Sequence, residues 1–282
     1  MKANPVNHSL VPVYSVLVKG NGSKRGRSLC PEKDLEEVPK DRRFAAFTLE
    51  GAHRRFVAMV QDIKDAWRRD KSQWLIKTGV CSTLLLGTSA LYAHKLLSSL
   101  RATGCSTDSM LLGFGAVYTG RLLLSMHVFQ SRPPDWHEVP IVYMAFIPSI
   151  FATFVVARAP TAVCDARHYA AALLYAAGSA LSSVSEYQRY VFKANPANKG
   201  KLMTTGLWAM SMHINYLGDS VLFTGWTLAA VGAWWAWWVP VVITVLFVKM
   251  HIPGLDEYLK DRYPKEFPAY AARTAKFLPG IY

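Results

Sequence analysis

The sequence predicts an all-α, polytopic membrane bundle of about six transmembrane helices, with a basic amphipathic N-terminal helix and a cytosolic C-terminal tail. Three observations carry that expectation. The 282 residues are 51% hydrophobic and only 18% charged, whereas soluble domains carry about a quarter charged residues. Apolar stretches of about 20 residues, enough to cross a bilayer's hydrocarbon core, recur at Trp74–Leu97, Ser109–Phe129, Val139–Val156, Tyr169–Ser185, Leu207–Val231 and Trp234–Val248. The formal net charge of +13 lies largely beside these stretches, where cytoplasmic loops concentrate Lys and Arg. Charge placed that way argues for a membrane and against a nucleic-acid partner.

Residues 1–43 mix Pro, Gly and both charge signs around one short apolar run, S-L-V-P-V-Y-S-V-L-V, and read as a mobile basic arm. The run is followed by K-G-N-G-S-K-R-G-R in place of a small-residue cleavage site, which argues against a secretory signal. No acid precedes Glu32, so an organelle-targeting role stays open. Over 44–73, Phe56, Met59, Val60, Ile63 and Trp67 recur at helical spacing against Arg54, Arg55, Lys64, Arg68 and Arg69. That pattern describes a basic amphipathic helix, lying on a membrane surface or packed on the protein itself. The remaining 74–282 form the transmembrane domain.

Six spans put both termini on one side. Arg189, Lys193, Lys199 and Lys201 share one loop, and Lys260, Arg262, Lys265, Arg273 and Lys276 share the tail, whereas the opposite loops hold Lys95, Arg101, Arg158 and Arg167. The positive-inside rule then places the termini and the 187–205 loop in the cytosol. The sequons at Asn7 and Asn21 would not meet glycosylation machinery there. Cys30, Cys81, Cys105 and Cys164 are isolated, so no zinc site or disulfide framework is legible and no metal is expected.

Two spans carry polar groups that lipid cannot satisfy. The second reads A-V-Y-T-G-R-L-L-L-S-M-H-V-F-Q-S-R-P-P-D-W-H-E. Arg121 falls near its middle, with Tyr118 one turn earlier on the same face. An unpaired cation at that depth costs about 3 kcal/mol, so Arg121 needs an anionic or hydrogen-bonding partner, Glu186 or Asp219 if the pair is structural. The fifth span carries G-L-W-A-M-S-M-H-I-N-Y-L-G-D. Asn215 and Asp219 stack at i, i+4, with His213 and Tyr216 beside them and Gly218 admitting a close approach. Behind the basic loop S-E-Y-Q-R-Y-V-F-K-A-N-P-A-N-K-G-K-L, this stripe points to a polar ligand; an inter-helix hydrogen-bond ladder is the alternative. The Trp234–Trp238 cluster reads as an interfacial belt. The tail's cations suit anionic lipid heads or a phosphate-bearing cofactor.

The motifs E-Y-Q-R-Y-V-F-K, N-K-G-K-L, H-I-N-Y-L-G-D, L-D-E-Y-L and F-P-A-Y-A-A-R-T-A-K-F-L-P-G-I-Y together resemble the steroid 5α-reductase C-terminal domain family over Tyr118 to Tyr282. They are closest to its branch called domain of unknown function 1295, related to sterol C14 reductases and isoprenylcysteine methyltransferases. The resemblance implies an integral membrane reductase, expected in the endoplasmic reticulum or another organelle membrane. It would take hydride from NADPH and act on an enone in a steroid, sterol or other lipid drawn from the bilayer. It implies that Tyr118 is the acid beside the substrate carbonyl and Arg121 its companion. It further implies cofactor contacts from Glu186, Lys193, Asn198, Lys201, Asn215, Tyr216, Asp219, Tyr258 and Arg273. Met212 and Ile214 stand where sterol reductases carry Arg and Pro, with Arg189 or Lys201 as replacement cations, and Glu138 is the candidate for the glutamate that pairs with the tyrosine. Two alternatives share the pattern. One is a membrane methyltransferase using S-adenosylmethionine and the acidic pair Asp256–Glu257; the other is a non-catalytic lipid-binding protein.

Overall fold

A computed structural model of the chain describes residues 71–103, 106–130, 133–159, 164–230 and 233–281. The arm over 1–43 and nearly all of the expected helix over 44–73 lie outside the described residues. Helix α1 is Lys71–Thr103 and α2 is Ser106–Leu124, which runs into a π-helical turn at Ser125–Phe129. A π-helical run at Val139–Phe146 leads into α3, Ile147–Ala157. Helix α4 is Ala166–Ala194 and α5 is Ile214–Ala230, separated by 3-10 turns at Pro196–Asn198 and Gly206–Ala209. After a 3-10 turn at Trp234–Trp237, α6 (Trp238–Leu246) passes through a π turn at Phe247–His251 into α7, Ile252–Arg262, and α8 is Phe267–Arg273.

Among the described residues, Trp74–Leu100, Thr107–Phe129, Val139–Ala157 and Trp234–Arg262 are long and apolar enough to cross a membrane. They expose Leu91, Val117, Met144, Val156 and Val245, side chains that suit acyl chains better than water. The other two expected spans correspond to α4 and α5. Helix α4 is diluted by Ser179, Ser182, Ser183 and Ser185, and α5 has only 17 residues.

Two boundaries differ from the sequence reading. The fifth apolar stretch becomes helix at Ile214 and not at Leu207. Gly206 adopts φ +66°, the Met212 N–H donates to Ala275 O at 2.8 Å, and an isolated parallel bridge joins Ser211 to Ala275. The backbone before His213 is therefore engaged with the tail and does not continue α5 backwards. The last stretch, in turn, stays helical to Arg262, with Pro253 falling just after the π turn Phe247–His251, which shifts the hydrogen-bond ladder just before the proline's missing N–H.

Helices α4 and α5 meet backbone to backbone. A Cβ added at Gly178 would lie 2.3 Å from Leu222 N, one at Gly218 2.6 Å from Ser182 N, and one at Gly225 2.6 Å from Tyr175 N. Small residues permit this approach, and packing is what holds helices together where lipid removes the hydrophobic drive. The start of α4 is set by Asp165, which accepts from the His168 N–H at 3.2 Å in a capping box. The His168 ring, 2.7 Å from that carboxylate, holds its pKa below the usual carboxylate value.

Fully buried Trp226 on α5 is the centre of the core. Phe154 stacks on it at 4.7 Å, while Tyr92, Phe151, Tyr175 and Tyr118 meet it edge-on at 5.5–6.2 Å between ring centres. Its indole N–H donates to Tyr92 Oη at 3.3 Å, and that hydroxyl donates to Leu111 O at 2.9 Å. Tyr118 is thus built into the wall that joins α2 to α5.

Candidate functional site

Directly above this aromatic wall lies a partly open chamber of about 130 Å³. Six of the expected site residues line it: Tyr118 and Arg121 from α2, Glu186 from α4, and Asn215, Tyr216 and Asp219 from α5. Its opposite side is supplied by the three π-helical segments, through Met126 and Phe129, Tyr143 and Phe146, and Phe247 and His251. A π turn inserts a residue into a helix, re-aims the side chains that follow, and is found disproportionately at functional sites. Periodicity in the sequence gives no sign of these turns.

One face of the chamber is a continuous polar network. Arg121 donates from Nε to Ser183 Oγ at 2.9 Å and from Nη2 to Ser182 Oγ at 2.6 Å and Asp219 Oδ1 at 2.9 Å. The deep cation thus has its anionic partner, and Asp219 is the acid that fills the role. Asn215 donates from Nδ2 to Glu186 Oε1 at 2.9 Å, and the other Glu186 oxygen accepts from Arg189. A carboxylate only accepts, so this bond fixes which end of the Asn215 amide faces Glu186. Arg189 also covers the Trp208 ring at 5.1 Å. Three buried atoms of the network have no hydrogen-bond partner among the described residues: Arg121 Nη1, Arg189 Nε and Asn215 Oδ1. Buried polar atoms are normally paired, so a cluster of exceptions around one chamber suits a polar ligand.

Gly218 admits a neighbouring helix, since its missing side chain is what lets Ser182 reach Arg121. His213 is not on the helical stripe. It precedes α5, bonds Asp256 through Nε2 at 2.8 Å, and stacks on Tyr216 at 5.7 Å and 4°. Asp256 also meets Lys276 at 3.0 Å, so one half of the Asp256–Glu257 pair ties the tail to the start of α5. Ser211 Oγ donates to Phe277 O at 2.8 Å and Tyr270 Oη to Trp208 O at 2.6 Å, completing a strap across the 206–213 segment.

The other five expected residues do not line the chamber. Lys193 Nζ donates to Lys201 O at 2.9 Å and to Tyr263 Oη at 2.7 Å, Asn198 Nδ2 to Phe192 O at 3.0 Å, and Arg273 Nη2 to Thr204 Oγ1 at 3.2 Å. Lys201 is exposed and Tyr258 half-buried on α7. Together these residues mark a basic face where the 193–204 loop packs on the tail. Sequence reasoning missed Ser182 and Ser183. They read as ordinary small residues of a membrane helix, although their i, i+1 position one turn before Glu186 put them within reach of the same face. Glu138, singled out as a rim acid, is buried and lines the chamber.

Residues 137–274 match the family described as protein of unknown function (DUF1295). A 90-residue stretch is 34% identical to the "Probable O-methyltransferase ustE" of Ustilaginoidea virens, covering 32% of each chain. An 84-residue stretch is 33% identical to the "Probable 7-dehydrocholesterol reductase" of Acanthamoeba polyphaga mimivirus, covering 29% of this chain and 19% of that one. The matched stretches thus span a third or less of these curated relatives. The family match takes in Glu186, Asn215 and Asp219 but not Tyr118 or Arg121.

Proposed function

We propose that this chain is an integral membrane oxidoreductase that uses NADPH to reduce a carbon–carbon double bond conjugated to a carbonyl in a steroid, sterol or other lipid. Helices α4 and α5 cross the bilayer with the four apolar helices, and the termini face the cytosol. The endoplasmic reticulum is the expected membrane. The observation that carries the reading is the pair of unpartnered buried atoms, Asn215 Oδ1 and Arg121 Nη1, on the chamber that Tyr118 also lines. Similarity to a probable sterol reductase supports the same class.

The residues present fit the cofactor's head. Glu186 holds Asn215 Nδ2, so Oδ1 is left to accept a hydrogen bond from a carboxamide. Arg189 and the basic face of Lys193, Asn198, Lys201, Tyr258 and Arg273 would meet phosphates and ribose without a glycine-rich loop. The nicotinamide end would enter the chamber beside Asn215, and the rest of the dinucleotide would extend over the cytosolic loop. When bound, NADPH supplies the hydride.

The chain's own residues do the remainder. As negative charge grows on the substrate oxygen, the Tyr118 hydroxyl donates its proton there. Arg121, fixed by Ser182, Ser183 and Asp219, keeps positive charge beside that oxygen, in a setting walled from water by Phe223 and Trp226. Anchoring matters because a donor already held in place needs no reorganisation during the reaction.

Similarity to a probable O-methyltransferase favours one second reading, transfer of a methyl group from S-adenosylmethionine. Against it, Asp256 of the expected acidic pair is engaged by His213 and Lys276. Melting the purified protein with NADPH and with S-adenosylmethionine separates the readings, since a ligand that binds the folded state raises its melting temperature. Stabilisation by NADPH alone is expected; stabilisation by S-adenosylmethionine alone would replace the reductase with the methyltransferase.

A further inference from the structure

Beside the chamber lies a second recess, about 80 Å³, between the π-helical run Val139–Phe146 and the junction of α6 with its π turn. Its walls are Ile141, Val142, Phe146, Leu246 and Met250, and its only polar residues are His137, Glu138 and His251. Glu138, Phe146, Leu246 and His251 line the chamber as well, so the two spaces are neighbours across a shared wall. Ile141 is 49% exposed and Met250 38% exposed, on the Val139–Ala157 and Trp234–Arg262 helices that cross the membrane. The exposed apolar rim of the groove therefore suits acyl chains better than water.

We infer that this groove holds an acyclic hydrocarbon tail of the lipid whose polar, reacting head occupies the chamber. The second half of that statement rests on the reductase reading; the first does not. Apolar walls repel a charged or hydrogen-bonding ligand, which would lose its water and gain no partner. A saturated or polyene chain loses nothing there, since apolar walls replace the acyl chains it leaves. The volume suits a short run of methylenes. Adjacency to the chamber gives the chain a direction: its apolar end lies toward Ile141 and Met250, and its functional group lies at the Glu138–His251 end, which both spaces share. The substrate class is thus a lipid with a flexible tail, either a linear chain throughout or a ring system whose side chain enters the groove.

A photoreactive diazirine derivative of a long-chain fatty alcohol, added to the full chain in liposomes, tests this directly. Saturable crosslinking to Ile141–Phe146 and Leu246–Met250 is expected, displaced by excess unlabelled alcohol. Replacing the exposed rim residues together, Ile141→Trp with Met250→Trp, should cut that labelling at least fivefold while NADPH affinity stays unchanged. Labelling that never saturates and ignores the Trp variants would mean ordinary surrounding lipid and would overturn the inference. So would groove labelling by a diazirine carried on a sterol's ring system that the fatty alcohol fails to displace, or no groove labelling at all. NADPH binding is measured on the same samples. Its absence with groove labelling intact removes the reductase reading alone, and its presence without labelling removes the tail alone.

Discussion

Arg121 of α2 and Asp219 of α5 meet at 2.9 Å, with their side chains 16% and 22% exposed. The pair joins two helices and leaves the third guanidinium nitrogen, Nη1, without a hydrogen-bond partner among the described residues. Breaking a buried pair leaves an uncompensated charge, whereas replacing both members by apolar groups is often tolerated. Asp219→Ala should therefore destabilise the protein by about 3 kcal/mol, and Arg121→Met with Asp219→Leu should recover most of it. Melting curves of the three proteins in detergent check this, and a double variant no more stable than the single one would contradict it. The recovered double variant should still lack reductase activity.

In the proposed reading, Asn215 contacts the cofactor's carboxamide. Asn215→Ala removes one hydrogen bond to the ligand and should weaken NADPH binding about tenfold, the effect of roughly 1.4 kcal/mol. Asn215→Asp should weaken it further, because it sets a carboxylate beside Glu186. Titration of intrinsic fluorescence with NADPH measures both, and unchanged affinity in both would remove Asn215 from the site.

Tyr118→Phe keeps the ring between Phe223 and Trp226, at 5.3 and 5.5 Å, and removes only the hydroxyl. Turnover should fall about 10²–10⁴-fold, the range for losing a general acid. NADPH affinity and the melting temperature should hold. A normal rate would make Tyr118 a packing residue.

Gly218→Ala places a methyl group 2.6 Å from Ser182 N. Backbone cannot yield as a side chain can, so a loss of about 1–3 kcal/mol is expected, together with a looser Arg121. Gly120→Ala is the control: it is exposed, nothing lies within 4 Å of its new Cβ, and alanine favours helix by about 0.5–1 kcal/mol. Equal melting temperatures for the two variants would contradict the close α4–α5 contact.

The legible parts of this protein were those in which a cost had to be met. A cation in mid-span requires an anion within reach, which narrows the structural partner of Arg121 to Glu186 or Asp219 from the sequence alone. Likewise Asn215 and Asp219, four apart on a helix, had to share a face, and both line the chamber. The start of α5 was not legible, because G-L-W-A-M-S-M is as apolar as a helix and only the distant Ala275 draws its backbone away. The π turns were hidden for a related reason: one extra residue in a largely apolar helix leaves composition and spacing almost unchanged. Ser182 and Ser183 gave no signal of their own, since their role exists only because Arg121 arrives from another helix.

The glycine contacts between α4 and α5 divide the molecule mechanically. With main chain touching main chain at Gly178, Gly218 and Gly225, no cushion of side chains is left to absorb sliding, so these two helices behave as a fixed anvil carrying Glu186, Asn215 and Asp219. Whatever breathing admits a guest must then come from the facing jaw, the Val139–Ala157 and Trp234–Arg262 helices, whose π turns already loosen the regular ladder. Amide exchange should accordingly be slowest along the anvil and fastest along the jaw.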